Sequence, residues 1–415
     1  MKNFRTHILA FASVLSLTVF AQERTFTIDK TVPDYNGDYG YDMGTRFDPA
    51  SNAPYFFSVK VPDGNYVVTV TVGDRRKDAQ TFVRAESRRL MVDNARTPKG
   101  KTADYTFVVN KRSDKIAGSD KSVRLNKREV GSPTWDDRLT LEINGANPAV
   151  RQISIRPVTE ADSVTTVFLC GNSTVVDQGG EPWASWGQIV PAFFDTKIVI
   201  SNNAESGESA ASSLASNRLD KVLSMAKPGD WLFIEYGHND QKAKAPGSGA
   251  YYDFSTNLKK FIDLGRQKGL EIVLVTPAAR RRFDKNGKCE NTHGEYVQAV
   301  RDVAARENVR LIDLNPMVMQ LYETLGTEGS KKALVHYPAG TFPNQEKALA
   351  DNTHFNPYGA TQLAKCMLMG IRAVAPELAS HIINVGTYSP LLPDDPATFE
   401  WPLAPTFQSE KPLGN

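Results

Sequence analysis

The hydrophobic pattern of the chain has two periods. From Gln22 to about Glu160 apolar and polar positions alternate. In "FFSVKVPDGNYVVTVTVGD", Phe57, Val59 and Val61 share one face, Pro62-Asp63-Gly64-Asn65 reads as a turn, and Val68, Val70 and Val72 share a face on the return. A period of two is that of a half-buried strand, so two such runs around a turn predict a hairpin. "TWDDRLTLEINGANPAVRQISIRPV" repeats the pattern with Leu139, Leu141 and Ile143, a turn around Gly145, then Ile153 and Ile155. Runs of this kind separated by Gly, Pro, Asn and Asp, without a convincing helical period, predict an antiparallel β-sandwich over 22–160.

Beyond a polar connection at Thr159–Thr165 the period changes. The short apolar runs "TVFLCG", "KIVIS", "WLFIEYG", "EIVLVTP" and "VRLIDLN" alternate with segments of helical spacing such as Leu258, Phe261, Ile262 and Val300, Val303, Ala304. Strands alternating with helices predict an α/β domain over 161–385, its parallel sheet covered by helices. Its last helix begins at Pro357, turns Leu363, Cys366, Met367, Ile371 and Val374 inward, and ends at Pro376. Residues 386–415 form a Pro-rich tail expected to lie extended on the surface.

Composition narrows the reading. At 415 residues the chain is long for one core, which fits two domains. The 49 basic and 47 acidic residues leave a net charge of +2 with no long block of either sign, which argues against a nucleic-acid partner. Lys2 and Arg5 precede an apolar run from Ile8 to Phe20, and "VFA" ends at Ala21, so residues 1–21 read as a secretory signal and the mature chain as periplasmic or extracellular. That run is shorter than the roughly 20 residues of a membrane span, and no other stretch approaches that length. Cys170, Cys289 and Cys366 make no disulfide framework. No Cys or His pair has metal-ligand spacing, so neither a metal nor another cofactor is expected.

Candidate chemistry lies at the strand ends, where open parallel sheets carry their functional groups. After "TVFLC" comes Gly171-Asn172-Ser173, after "KIVIS" comes "NNAESGESAASS", after "WLFIEY" comes Gly237-His238-Asn239-Asp240, and before the last helix comes Asp351-Asn352-Thr353-His354. Singly, Ser173 reads as a helix cap and Asn239 as a turn residue. In this order, the four blocks resemble those of the SGNH (GDSL-like) hydrolases. The resemblance implies a three-layer α/β/α fold with Ser173 as nucleophile, His354 as its base and Asp351 as the carboxylate orienting the imidazole. It also assigns the oxyanion to the backbone N–H groups of Ser173 and Gly207 and the side-chain amide of Asn239. Asn172 departs from the pattern, since the family carries a supporting aspartate there.

Over Val164–Leu378, "GNSTVVDQ", "EPWASWGQ", "YGHNDQK", "TPAARRRFD" and "THFNPYGA" resemble rhamnogalacturonan acetylesterases. That resemblance implies an acetylated pectic polysaccharide as substrate. Arg280, Arg281 and Arg282 follow a strand at the functional edge, where guanidinium groups can pair with uronate carboxylates. His238 and His293 are candidates to line the pocket, and Trp183, Trp186 and Tyr236 to offer flat surface to sugar rings. The sandwich weakly resembles galactose-binding-like jelly rolls. Rival readings are an acetylxylan or pectin methyl esterase, or a non-catalytic carbohydrate-binding protein on the same scaffold.

Overall fold

The computed structural model describes residues 22–406 and 411–413; the expected secretory signal lies outside them. The alternating region holds nine strands: β1 (Arg24–Thr27), β2 (Tyr39–Asp42), β3 (Tyr55–Lys60), β4 (Gly64–Val72), β5 (Ala79–Ala85), β6 (Arg89–Thr97), β7 (Ala103–Lys111), β8 (Arg138–Asn147) and β9 (Val150–Pro157). They form two antiparallel sheets, ordered β1-β9-β4-β7 and β2-β3-β8-β5-β6.

Neither expected hairpin forms. β3 pairs with β2 and β8 while β4 pairs with β7 and β9, so the turn after Val61 crosses from one sheet to the other, and the connection from β8 to β9 makes the same crossing. The inward faces were read correctly, because Phe57, Val59, Val68, Val70, Leu139, Leu141, Ile143, Ile153 and Ile155 belong to one core. Alternation fixes which face is buried, but a hairpin and an arch between facing sheets bury the same positions.

The second region contains a five-stranded parallel sheet of β10 (Thr165–Gly171), β11 (Ile198–Asn202), β12 (Trp231–Glu235), β13 (Glu271–Val275) and β14 (Arg310–Ile312), in the order β11-β10-β12-β13-β14. Side chains alternate between its faces: Val167, Leu169, Trp231, Phe233, Val273 and Val275 enter one core, while Phe168, Cys170, Leu232, Ile234, Ile272 and Leu274 enter the other. Burial on both sides explains why these strands read as continuous apolar runs. Helices α1 (Trp186–Ile189), α2 (Ala210–Ala215), α3 (Arg218–Met225), α4 (Ser255–Gln267), α5 (Tyr296–Glu307), α6 (Leu314–Gly329) and α7 (Pro357–Val374) surround the sheet. A two-stranded ladder of β15 (Leu334–Tyr337) and β16 (Leu349–Phe355) precedes α7. Among the described residues, no helix is long and apolar enough to cross a membrane.

Sandwich and α/β region share buried contacts. Phe82 and Leu90 join the core that contains α7. Arg88 pairs with Glu181 at 2.6 Å, and Arg218 on α3 reaches Glu129 at 2.6 Å, all four side chains nearly inaccessible. The tail reinforces the junction: Arg84 lies 4.0 Å from the Trp401 ring, Arg84 donates to the Pro402 carbonyl, and Trp401 Nε1 donates to Glu181. Most described tail residues are exposed or half-buried, and Tyr388 and Ala404 are buried anchors along it.

Candidate active site

The strand order places β11 on one side of β10 and β12–β14 on the other, so chain direction across the sheet reverses beside β10. Ligands of open α/β sheets bind at the carboxyl ends beside such a switch. Ser173 follows β10, Gly207 follows β11 and Asn239 follows β12.

The turn after β10 is built tightly. A Cβ on Gly171 would lie 2.5 Å from Val175 Cγ2, so a side chain there would force the turn apart. The N–H groups of Val175 and Val176 both donate to the Asn172 carbonyl at 3.0 Å. Asn172 Oδ1 accepts from the Thr174 N–H and lies 3.0 Å from Thr174 Oγ1. The Ser173 carbonyl accepts from Gln178 Nε2 (2.9 Å) and Ser185 Oγ (2.7 Å). These bonds fix the serine backbone and leave its hydroxyl to point elsewhere.

It points at His354. Ser173 Oγ lies 2.9 Å from His354 Nε2, and His354 Nδ1 lies 2.7 Å from Asp351 Oδ2. Asp351 Oδ1 accepts the N–H groups of Thr353 (2.9 Å) and His354 (3.0 Å), which folds the carboxylate back over its own strand and brings positions three apart onto one ring edge. Burial acts to raise the Asp351 carboxyl, but the bonds from His354 and the two backbone N–H groups outweigh it and hold it at about 2. An ionised carboxylate only accepts, so Nδ1 carries the ring proton and Nε2 is free to accept from the serine hydroxyl.

Gly207 has φ +86°, the left-handed region that favours glycine. Asn239 Nδ2 donates to the Glu208 carbonyl at 2.9 Å, tying the amide to the residue after Gly207 and leaving its second N–H. Asp240 accepts from the N–H groups of Ala210 and Gly237, locking the loops after β11 and β12 together. Among the described residues, no acceptor takes the backbone N–H of Ser173 or Gly207.

His238 and His293 form a buried pair, with Nδ1 and Nε2 3.1 Å apart and rings edge to face. Burial, with the charges of His293 and Arg280, holds His238 well below the usual imidazole range. Burial and Arg280 bring His293 down to about 3, so both rings are neutral. Among the described residues, His238 Nε2 and His293 Nδ1 have no partner.

The three arginines separate. Arg280 donates to the carbonyls of His238 (3.1 Å) and Thr292 (3.5 Å), and no carboxylate pairs with it among the described residues. Arg281 is held by Ser330, Thr327 and Asn352. Arg282 is exposed and paired with Glu290 at 2.6 Å. The aromatic expectations are corrected: Trp183 is 1% exposed, Trp186 2% and Tyr236 0%, so none offers a face to a sugar. All three are core residues beside polar strand ends, a context that sequence cannot separate from a binding surface.

One residue escaped the sequence reading. Glu235, at the end of β12, accepts from Trp186 Nε1 (2.6 Å) and the Ala278 N–H (3.2 Å) and lies 2.7 Å from Thr174 Oγ1. Its only signal was an acidic residue closing an otherwise apolar strand. Among the described residues, no cluster of three or more His, Cys, Asp or Glu could hold a metal ion.

Comparison with known proteins identifies a family. The family model described as GDSL-like Lipase/Acylhydrolase matches residues 162–361. Rhamnogalacturonan acetylesterase RhgT of Bacillus subtilis (strain 168) is 38% identical over 220 residues, which are 52% of this chain and 94% of that protein. The probable rhamnogalacturonan acetylesterase YesY of the same organism is 31% identical over 221 residues, 52% of this chain and 97% of that protein. The crystal structure of Bacillus subtilis protein YxiM aligns with TM-score 0.47 at 22% identity, covering 85% of this chain and 88% of that one. The chain belongs to the GDSL-like lipase/acylhydrolase family, is an esterase, and within that family is similar to rhamnogalacturonan acetylesterases.

Proposed function

We propose that this esterase removes acetyl groups from a uronate-containing polysaccharide, acetylated rhamnogalacturonan, by acyl transfer through Ser173. The observation that carries the chemistry is the unbroken chain Ser173 Oγ, His354 Nε2, His354 Nδ1, Asp351 Oδ2, with links of 2.9 and 2.7 Å. Ser173 Oγ attacks the acetyl carbonyl as His354 Nε2 takes its proton. The oxyanion is met by the N–H groups of Ser173 and Gly207 and the free N–H of Asn239. Collapse expels the sugar hydroxyl, protonated by His354, and leaves acetyl-Ser173. Water, deprotonated by the same imidazole, then releases acetate and restores the hydroxyl.

The substrate reading draws on the relatives named as rhamnogalacturonan acetylesterases and on Arg280, a half-buried guanidinium without a carboxylate partner beside His238. A uronate supplies that partner. The proposal includes export with cleavage after Ala21, checked by the mass of the mature N-terminus. Acetate release from acetylated rhamnogalacturonan, against acetate from acetylxylan and methanol from methylated pectin, tests the substrate. Ser173→Ala must abolish it, and equal release from the neutral xylan would overturn the uronate reading.

A further inference from the structure

A cleft of about 750 Å³ lies between the sandwich and the α/β region, within the roughly 300–1,000 Å³ of ligand-sized sites. The sandwich side consists of the turn Glu86-Ser87-Arg88 and the loop from Asn126 to Pro133; Gly179, Gly180, Lys411 and Leu413 face them. Its inner end meets the reacting centre. Lys411 Nζ is 3.6 Å from Asp351 Oδ2, and the Leu413 side chain packs against Gly207. Arg128 pairs at 2.5 Å with Glu205, two residues before Gly207.

The charges in this cleft are unbalanced. Arg88 and Arg128 are neutralised by Glu181 and Glu205. Lys127 is exposed and has no ion-pair partner among the described residues. Among the described residues of the lining Glu86 is the one acidic side chain, and burial pushes its carboxyl up to about 8. Beside these groups stand exposed apolar side chains: Met43 is 44% exposed and Val130 71%. Cations interleaved with apolar surface complement a chain in which uronate carboxylates alternate with the methyl groups of deoxy sugars. A neutral xylan offers neither.

We propose that this cleft, one wall of which belongs to the sandwich, is a binding site for the polysaccharide chain flanking the reacting acetyl group, with Lys127 pairing to a uronate carboxylate and Met43 and Val130 meeting apolar sugar faces. The inference rests on the uronate-polysaccharide reading above and assigns the sandwich a part in substrate recognition. Aligned relatives that cover only about half of this chain supply no counterpart of that wall.

Binding of deacetylated rhamnogalacturonan oligosaccharides to Ser173→Ala protein, followed by calorimetry, separates this site from the chemistry. Lys127→Glu in that background should weaken binding about five- to tenfold, the scale of losing one ion pair and adding a repulsion. Lys268→Glu, the same charge change at the far end of α4, should leave it unaltered. Added salt should weaken binding in the Lys127 protein. Unchanged binding in Lys127→Glu, or equal binding of xylo-oligosaccharides, overturns the cleft. Tight, Lys127-dependent binding by a protein whose wild type releases no acetate from the acetylated polymer would keep the cleft and overturn the proposed reaction.

Discussion

Asp177, four residues beyond Ser173, is paired with Arg89 of the sandwich: Nε lies 2.8 Å from Oδ2, and the side chains are 1% and 2% exposed. Asp177 also accepts from Asn202 Nδ2, which donates as well to the Val175 carbonyl in the turn after β10. The sandwich therefore reaches the backbone of the turn that carries Ser173 through the side chains of Asp177 and Asn202. Breaking a buried ion pair leaves an uncompensated charge, at about 3–5 kcal/mol. Arg89→Met should lower unfolding stability by that order and reduce turnover, while Arg89→Met with Asp177→Leu recovers most of the stability. Urea unfolding of the four proteins in the cycle measures it, and additive losses would show that the two side chains are not coupled.

Arg280, Arg281 and Arg282 are indistinguishable in sequence, yet their surroundings differ. Arg282→Ala removes an exposed pair with Glu290 and should change neither stability nor activity measurably. Arg281→Ala should lower stability, since its guanidinium ties Ser330, Thr327 and Asn352 beside Asp351. Arg280→Gln should raise KM for acetylated galacturonides severalfold and leave p-nitrophenyl acetate hydrolysis intact. Equal effects of the Arg280 variant on both substrates would remove it from substrate recognition.

Much of the site was legible because its parts sit at strand ends, where short polar blocks interrupt apolar runs. The blocks holding Ser173, Gly207, Asn239, Asp351 and His354 stand out that way, and the structure brings Ser173, His354 and Asp351 within hydrogen-bonding distance. Trp183, Trp186 and Tyr236 were misread for the same reason, since an aromatic next to those blocks carries no mark of burial. In the sandwich, inward faces were readable while strand partners were not, because Val61 and Val68 face one core whether their strands pair or oppose. The Arg89–Asp177 and Arg88–Glu181 contacts join residues about ninety positions apart, and no local pattern encodes such a distance.

Stability should decline as pH rises from about 6.5 to 8. Burial raises Glu86 to about 8 and Glu235 to about 7, against the ordinary glutamate value of 4.5. Across that window the folded chain retains protons that the unfolded chain has released, so unfolding becomes easier, and above it the contribution is constant. Asp351, held at about 2, acts oppositely below about pH 4, and His238 and His293, kept neutral by burial, act oppositely up to about pH 6.5, where the unfolded imidazoles lose their protons. Thermal melts at pH 6.5 and 8 should differ by about 1–4 °C in favour of the more acidic sample. Glu86→Gln, which preserves the neutral shape, should flatten the slope. A slope that survives this change would place its origin elsewhere.

Asn172→Asp restores the residue usual in the family and should not improve the enzyme. Asn172 is wholly buried, and its Oδ1 is already engaged by the Thr174 N–H. Thr174 Oγ1 stands between Asn172 Oδ1 (3.0 Å) and Glu235 Oε1 (2.7 Å), and its single hydrogen can serve only one of them. A second carboxylate there would face Glu235 across one hydroxyl, in a site where burial already keeps Glu235 protonated to about pH 7. Like charges at that separation cannot both ionise without cost, so Asn172→Asp should lower Tm and reduce kcat severalfold at pH 8, with a smaller effect at pH 6, where Glu235 holds its proton. Adding Glu235→Gln removes the competing charge and should restore much of both. The comparison of the two single variants and the double at both pH values decides it: a rise in kcat for Asn172→Asp alone would mean that the amide impairs this site, and failure of Glu235→Gln to rescue would mean that the two side chains do not act through Thr174.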